Sequence, residues 1–150
     1  MDRFCNGDPA NDVETNEYIY IGSPVQVVSD WEELPENLDV GRFYGGDLKG
    51  VWNKLDYLKS LGVECIYLNP VFVSPSNHKY DCQDYEHIDP HYGVIAEDLD
   101  LLVDPNDMDN DMAGKYATRT ADMTNLQASD AFFAAFVEAA PEKGNRVLAD

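Results

Sequence analysis

The stretch DLKGVWNKLDYLKSLGVECIYLNP, residues 47 to 70, decides the fold class. Leu48, Val51, Trp52, Leu55, Leu58 and Leu61 recur at the three- and four-residue spacing that lines one face of an α-helix. Asp47 stands where a side-chain oxygen caps the first free N–H groups, and Gly62 stands just past the last turn. The spacing predicts a helix over residues 48–61. After Val63 and Glu64, the run Cys65-Ile66-Tyr67-Leu68 closes at Asn69-Pro70 and reads as a short strand buried on both faces. A helix leading at once into such a strand is half of a parallel α/β unit.

Outward from this stretch the pattern changes on both sides. The first 45 residues carry Asn, Asp, Pro and Gly clusters with short apolar runs, of which Tyr18-Ile19-Tyr20-Ile21 is the one candidate strand. Residues 71–123 read as one long loop, aromatic at first and strongly acidic between Glu97 and Asp111. A second helix is expected to start with Thr124 and Gln127 in capping-box spacing, to carry Leu126, Phe133, Phe136, Val137 and Ala140 on one face, and to end at Pro141. Arg146-Val147-Leu148-Ala149-Asp150 then reads as another buried strand. A parallel sheet of two or three strands leaves unpaired edges and bare apolar faces, so the chain is expected to be the opening portion of a larger domain.

Composition bounds the function. The chain has 150 residues, 44% of them apolar, with 29 acidic against 10 basic side chains and a formal charge of -19. That balance is wrong for a phosphate backbone, whose binding needs clustered Lys and Arg, so nucleic acid is not expected as a partner. No run of about 18 apolar residues offers a membrane span. The N-terminus shows no signal-peptide pattern, which leaves an extracellular and a cytoplasmic location both open. Cys5, Cys65 and Cys82 are too few and too scattered for a disulfide framework or a Cys-x-x-Cys zinc site.

Five segments, in order, resemble motifs of the alpha-amylase superfamily, most closely its neopullulanase, cyclomaltodextrinase and amylopullulanase branch. They are residues 2–12 (DRFCNGDPAND), 43–50 (FYGGDLKG), 66–70 (IYLNP), 75–81 (PSNHKYD) and 146–150 (RVLAD). The resemblance implies a (β/α)8 barrel, of which this chain holds the first two to three β/α units and reaches the third barrel strand. It implies a retaining glycoside hydrolase acting on starch, pullulan, maltooligosaccharides or cyclodextrins, in which one carboxylate attacks the anomeric carbon and another protonates the leaving oxygen. In the family those carboxylates come from later strands. None is therefore assigned within this chain, and the chain alone is expected to be inactive. Asp81 and Asp84 match neither position.

Asn6, Asp8, Asn11 and Asp12 put four oxygen-bearing side chains into seven residues that also hold Gly and Pro, a segment able to curl around a hard cation such as calcium. The plainer reading is of turn formers, with Asp47 as a helix cap. The resemblance implies that a structural calcium in this loop also takes the Gly45 carbonyl and Asp47. A second acidic run, Asp104, Asn106, Asp107, Asp109 and Asp111, fails the EF-hand pattern, because counting from Asp107 the sixth and twelfth places hold Met112 and Thr118. It reads as a solvated loop.

His78-Lys79-Tyr80 matches a motif whose His and Tyr, in the family, lie at the sugar subsite beside the bond to be cut. A tyrosine ring can stack on a glucose face and an imidazole can bond a hydroxyl. Tyr85, His87, His91 and Tyr92 extend the aromatic region, but Pro90 breaks the helix that a His-x-x-x-His metal pair needs. Asp150 matches the first residue of a motif that in the family helps shape the base of the active site. Two other classes fit less well: a non-catalytic amylase-like interaction domain, as in amino-acid transporter heavy chains, and a small carbohydrate-binding module using Tyr80, Tyr85 and Tyr92 as a platform.

Overall fold

The computed structural model describes residues 1–35 and 40–150; the expected opening connection at 36–39 lies outside the described residues. The opening region holds more regular structure than the single expected strand. A 3-10 turn at Pro9–Asn11 precedes β1 (Ile19–Tyr20), β2 (Ser23–Pro24), β3 (Gln26–Val27) and β4 (Arg42–Phe43). β1 pairs antiparallel with β2, and β3 pairs parallel with β4.

The expected helix at 48–61 forms as two segments, α1 (Leu48–Asn53) and α2 (Leu55–Ser60). They break at Lys54, whose φ of -101° and ψ of 3° leave the helical region. Asp47 caps α1 as expected, its side chain accepting from the Gly50 N–H. Gly62 follows with φ of +84°, a backbone that suits a residue without Cβ.

β5 (Cys65–Leu68) pairs parallel with β8 (Arg146–Ala149), in the register Cys65 to Arg146 through Leu68 to Ala149. The expectation that both strands are buried on both faces is corrected. Leu68 is buried, but Cys65 and Tyr67 are exposed, and in β8 only Val147 is half-covered. The reason is one-sided packing. Leu68, Ile66 and Val147 lie against a cluster of Leu48, Val51, Leu55, Val71, Ile88 and Phe136, while the opposite sheet face has no covering layer among the described residues.

Between these strands the expected long loop contains real elements. β6 (Phe72–Val73) and β7 (Asp84–Ile88) form an antiparallel pair whose connection, residues 74–83, carries His78, Lys79 and Tyr80. α3 (Gly114–Ala121) lies inside what reads as loop, and α4 (Met123–Ala139) follows directly. The α4 cap is Asp122, accepting from the Thr124 N–H at 2.7 Å, and replaces the expected Thr124–Gln127 box. Leu126, Phe136 and Ala140 are buried as expected, whereas Val137 is exposed; Phe132, 5.5 Å from the Trp52 ring, takes up the packing instead. Phe136 is fully buried, and truncating such a ring to alanine typically costs about 3–5 kcal/mol. No helix among the described residues is long and apolar enough to cross a membrane.

A second apolar cluster, Val13, Tyr18, Ile19, Val25, Phe43, Val103 and Ala113, ties β1, β4 and the residue before β3 to the acidic segment and the start of α3. The acidic run itself is exposed at Asp104, Asn106, Asp107, Asp109 and Asp111, and Asp104 and Asp109 accept N–H groups two residues on. That agrees with a solvated loop pinned at Val103.

Candidate functional site

The Asn6–Asp12 segment lies across the start of α1. It approaches so closely that a Cβ on Gly50 would sit 1.9 Å from the Cys5 carbonyl oxygen. Asn6 Nδ2 donates to both Asp12 carboxylate oxygens at 2.8 Å. Gly45, at φ of +76°, faces them so tightly that a Cβ there would lie 2.5 Å from Asp12 Oδ1. Asn6, Asp12 and Gly45 are thus brought together.

Asp47 and Asp8 are engaged differently. Asp47 is fully buried and accepts N–H groups from Gly7 at 3.1 Å, Asp8 at 2.8 Å and Gly50 at 2.6 Å. Asp8 caps the 3-10 turn through the Ala10 N–H at 3.1 Å. Asn11 is buried and donates to the Gly93 carbonyl at 2.9 Å.

Two features of this cluster are electrostatically unfinished. Among the described residues the side-chain oxygens of Asn6 and Asn11 are buried without a hydrogen-bond partner, which in native proteins calls for an explanation. Burial, together with the neighbouring charges of Asp47, Asp2 and Asp8, raises Asp12 to about 6 despite the Asn6 hydrogen bonds. Burial likewise raises Asp2 to about 6 and pushes Asp47 up. Amide oxygens, a carboxylate and a backbone carbonyl form a hard donor set, suited to calcium rather than zinc. Among the described residues no group of three or more His, Cys, Asp and Glu side chains is set to hold a metal, so a cation here would need asparagine and main-chain oxygens beside its carboxylates.

Tyr80, Tyr85, Phe72 and Asp150 line an open cleft of about 200 Å³. His78 sits beside it with its ring 5.9 Å from the Tyr80 ring. Tyr80 is 57% exposed, so its face is free to meet a ligand. The Tyr80 N–H donates to His78 Nδ1 at 3.1 Å, so in the neutral ring Nε2 carries the proton. Asp150 extends the β5–β8 ladder, donating its N–H to the Leu68 carbonyl at 3.1 Å. The structure therefore brings His78, Tyr80 and Asp150 to one place, from two different elements.

Tyr67 belongs to the same place and goes unnoticed in the sequence. It is 60% exposed on the open face of β5, and a hydrogen bond to Asp150 raises its phenol above the ordinary range. The available signal is strand alternation, which puts Tyr67 opposite Leu68, but a run read as buried on both faces hides it.

Asp81 and Asp84 have structural partners. Asp81 accepts from Tyr20 Oη at 2.6 Å, Ser74 Oγ at 2.7 Å and the Ser76 hydroxyl. Partial burial pushes its carboxyl up, but these hydroxyls prevail and hold it at about 2. Asp84 accepts the Glu86 N–H at 2.7 Å. His87 lies in β7, 2.7 Å from Asp130, and His91 is buried between Asp89 and Glu17 at 3.0 and 2.7 Å, so each histidine already has carboxylate company.

The chain is 46% identical to an amylopullulanase of Thermoanaerobacter thermohydrosulfuricus over 116 residues, which is 69% of this chain and 8% of that protein. It is 47% identical to a cyclomaltodextrinase of Thermoanaerobacter pseudethanolicus over 101 residues, 67% of this chain and 15% of that one. The chain therefore spans less than a sixth of these curated relatives. Among solved structures, the type III pullulan hydrolase from Thermococcus kodakarensis superposes with a TM-score of 0.65 at 30% identity, covering 99% of this chain and 21% of that one. A cyclic alpha-maltosyl-(1→6)-maltose hydrolase from Arthrobacter globiformis, in complex with maltose, superposes at 0.58 with 26% identity, covering 99% and 23%. The sequence model described as "Alpha amylase, catalytic domain" matches residues 1–112, well over half the chain. This chain belongs to the alpha-amylase catalytic-domain family.

Proposed function

We propose that these 150 residues are the opening two to three β/α units of one (β/α)8 catalytic domain, in a retaining glycosidase that cuts α-glucans such as starch, pullulan, maltooligosaccharides or cyclodextrins. The observation that carries this reading is the meeting of Tyr80 and Asp150 in one cleft beside His78, at the C-terminal ends of parallel strands. That is the end at which barrels of this type build their active sites. The open face of β5 and β8 supports it further, since a barrel interior needs inward side chains from strands still to come.

In this role Tyr80 stacks on a glucose ring, His78 donates Nε2–H to a sugar hydroxyl, and Asp150 shapes the floor with Tyr67 against it. Together they hold one ring and exclude water near the bond to be cut, where charge develops on the anomeric carbon. The nucleophile and the acid come from other strands, and the chain by itself hydrolyses nothing. Asn6, Asp8, Asn11, Asp12, the Gly45 carbonyl and Asp47 would hold a structural calcium. The orphaned oxygens of Asn6 and Asn11 and the raised Asp12 carboxyl fit such an ion. It would supply positive charge where this chain crowds oxygens, locking the opening segment to α1. The partner is thus an α-glucan, with no nucleic acid or membrane involved.

The test is release of reducing sugar from maltoheptaose and pullulan by the longer protein carrying this sequence and by residues 1–150 alone. Activity in the first, lost on Tyr80→Ala, with none in the second, is the expected result. An inactive longer protein overturns the reading, and an active 1–150 chain overturns the assignment of the carboxylates to other strands.

A further inference from the structure

Lys79 lies between the two sugar contacts, and its side chain does the opposite of theirs. A lysine at a loop tip ordinarily extends into water. This one is 1% exposed. Its ammonium donates to Asp89 Oδ2 at 2.6 Å and to the Ser74 carbonyl at 2.7 Å, and lies 5.0 Å from the centre of the Tyr92 ring and 5.9 Å from that of Phe43. Its backbone is left-handed, with φ of +63°, and its N–H donates to Ser76 Oγ at 3.0 Å. Such a backbone in a residue with a Cβ persists only where the surroundings hold it.

The surroundings are a chain of alternating charges. Asp89 is fully buried; beyond Lys79 it accepts the Ser74 N–H at 3.1 Å, the His91 N–H at 2.9 Å and His91 Nδ1 at 3.0 Å. His91 Nε2 lies 2.7 Å from Glu17 Oε1, so both ring nitrogens face carboxylates and the ring is held as a cation. Glu17 Oε2 accepts from Arg119 Nη1 at 2.9 Å, and Arg119 grips Asp98 through Nε at 3.0 Å and Nη2 at 2.8 Å. A loop tip is thereby connected through the interior to the opening segment and to α3. On its other side Asp81, held by Tyr20, Ser74 and Ser76, fixes the residue after Tyr80.

We propose that Lys79 is a positioning residue. With the chain Asp89–His91–Glu17–Arg119 behind it, Lys79 holds the turn so that His78 and Tyr80 present a fixed face to one glucose ring. Half-buried His78 and exposed Tyr80 flank this buried ammonium on a ten-residue connection, which Ser76, Asn77 and Asp81 also tie down by hydrogen bonds, and a misplacement of the order of 1 Å in sugar contacts can cost about a hundredfold in rate. The inference rests on the proposed sugar-binding role of the cleft.

The experiment is a double-mutant cycle in the longer protein, with kcat and KM measured on maltoheptaose for wild type, Lys79→Met, Tyr80→Ala and the double variant. Lys79→Met is expected to raise KM and lower kcat/KM by roughly ten- to a hundredfold. In the Tyr80→Ala background it is expected to do almost nothing, because it acts through that ring. Lys79→Gly, which accepts the left-handed backbone but lacks the anchor, is expected to match Lys79→Met. If Lys79→Met does not fold, Lys79→Arg takes its place: it keeps the charge, crowds the cage, and its loss must likewise vanish in the Tyr80→Ala background. Equal losses with and without Tyr80, or wild-type kcat/KM in a folded Lys79→Met, would overturn the inference while the wild type remains active. A wild type inactive on maltoheptaose overturns the functional reading with it.

Discussion

Two regions of this molecule bury carboxylates, and they solve the problem in opposite ways. Around Lys79 every buried anion faces a cation of the same chain: Asp89 meets Lys79 and His91, and Glu17 meets His91 and Arg119. Burial alone would push the Asp89 carboxyl up, yet Lys79 and His91 hold it well below the usual range. Around Asp12 the anions face one another. Asp47, Asp2 and Asp8 all act on Asp12, which is raised to about 6, and two amide oxygens remain without partners. In a chain carrying -19, internal cations are scarce. Where they are assembled the structure is self-sufficient; where they are not, a cation from outside is the natural complement.

The comparison breaks most visibly at Asp89. Asp89→Ala leaves Lys79 and His91 buried without their shared partner, which should lower stability by about 3–5 kcal/mol in urea denaturation. A loss below about 1 kcal/mol would mean that water enters the chain of charges and that it anchors little.

Calcium should come next. If the Asp12 cluster takes the ion, calcium at a hundred times its Kd should add about 2.7 kcal/mol of stability, and a chelator should remove it. Asp12→Asn sharpens the contrast with Asp89. In chelator it should leave stability unchanged or raise it, because the ionised Asp12 is disfavoured there, and in calcium it should forfeit the gain. Destabilisation of similar size in both conditions would place the cluster with the self-neutralised region.

A graded effect is expected from pH. Burial lowers the His91 pKa, but Glu17 and Asp89 outweigh it and raise the ring from 6.5 to about 9. A group held above its unfolded value contributes fully below the unfolded pKa and loses its contribution as pH climbs through the folded one. Stability should therefore fall as pH rises from 6.5 through about 9, and His91→Gln should flatten that slope. Equal slopes in the two proteins would show that His91 is not held as a cation.

The smallest effect belongs to the surface. Lys143 and Asp56 meet at 3.0 Å but are 48% and 76% exposed, and Lys143→Ala should change stability by no more than about 0.5 kcal/mol. A larger loss would erase the distinction between buried and solvated charge on which the comparison depends.

What could be read in advance follows the same divide. α4, β5 and β8 show in the sequence because their apolar residues repeat locally, and Asp47 shows as a cap because the residues after it are periodic. α3 does not, because its buried residues are Lys115, Arg119 and Thr120. A helix whose inward face is charged gives no apolar stripe to detect, and its partners Asp98, Glu14 and Glu17 lie 17 to 105 residues away. The role of Lys79 is hidden for another reason: its partners Ser74 and Asp89 are only 5 and 10 residues away, but only the folded turn shows that its side chain is buried between them.

Legible along the chain were the helix-to-strand unit at residues 47–70, the family motifs and the residues whose chemistry suits a sugar and a hard cation. Those properties are local, written in spacing and residue type. Only the folded chain shows that Tyr80 and Asp150 share a cleft, that Asp47 accepts three backbone N–H groups while Asp12 accepts from Asn6, and that a loop-tip lysine is buried. Each depends on which charges and donors the fold brings within a few ångströms, and Coulomb and hydrogen-bond energies follow distance in space rather than separation along the chain.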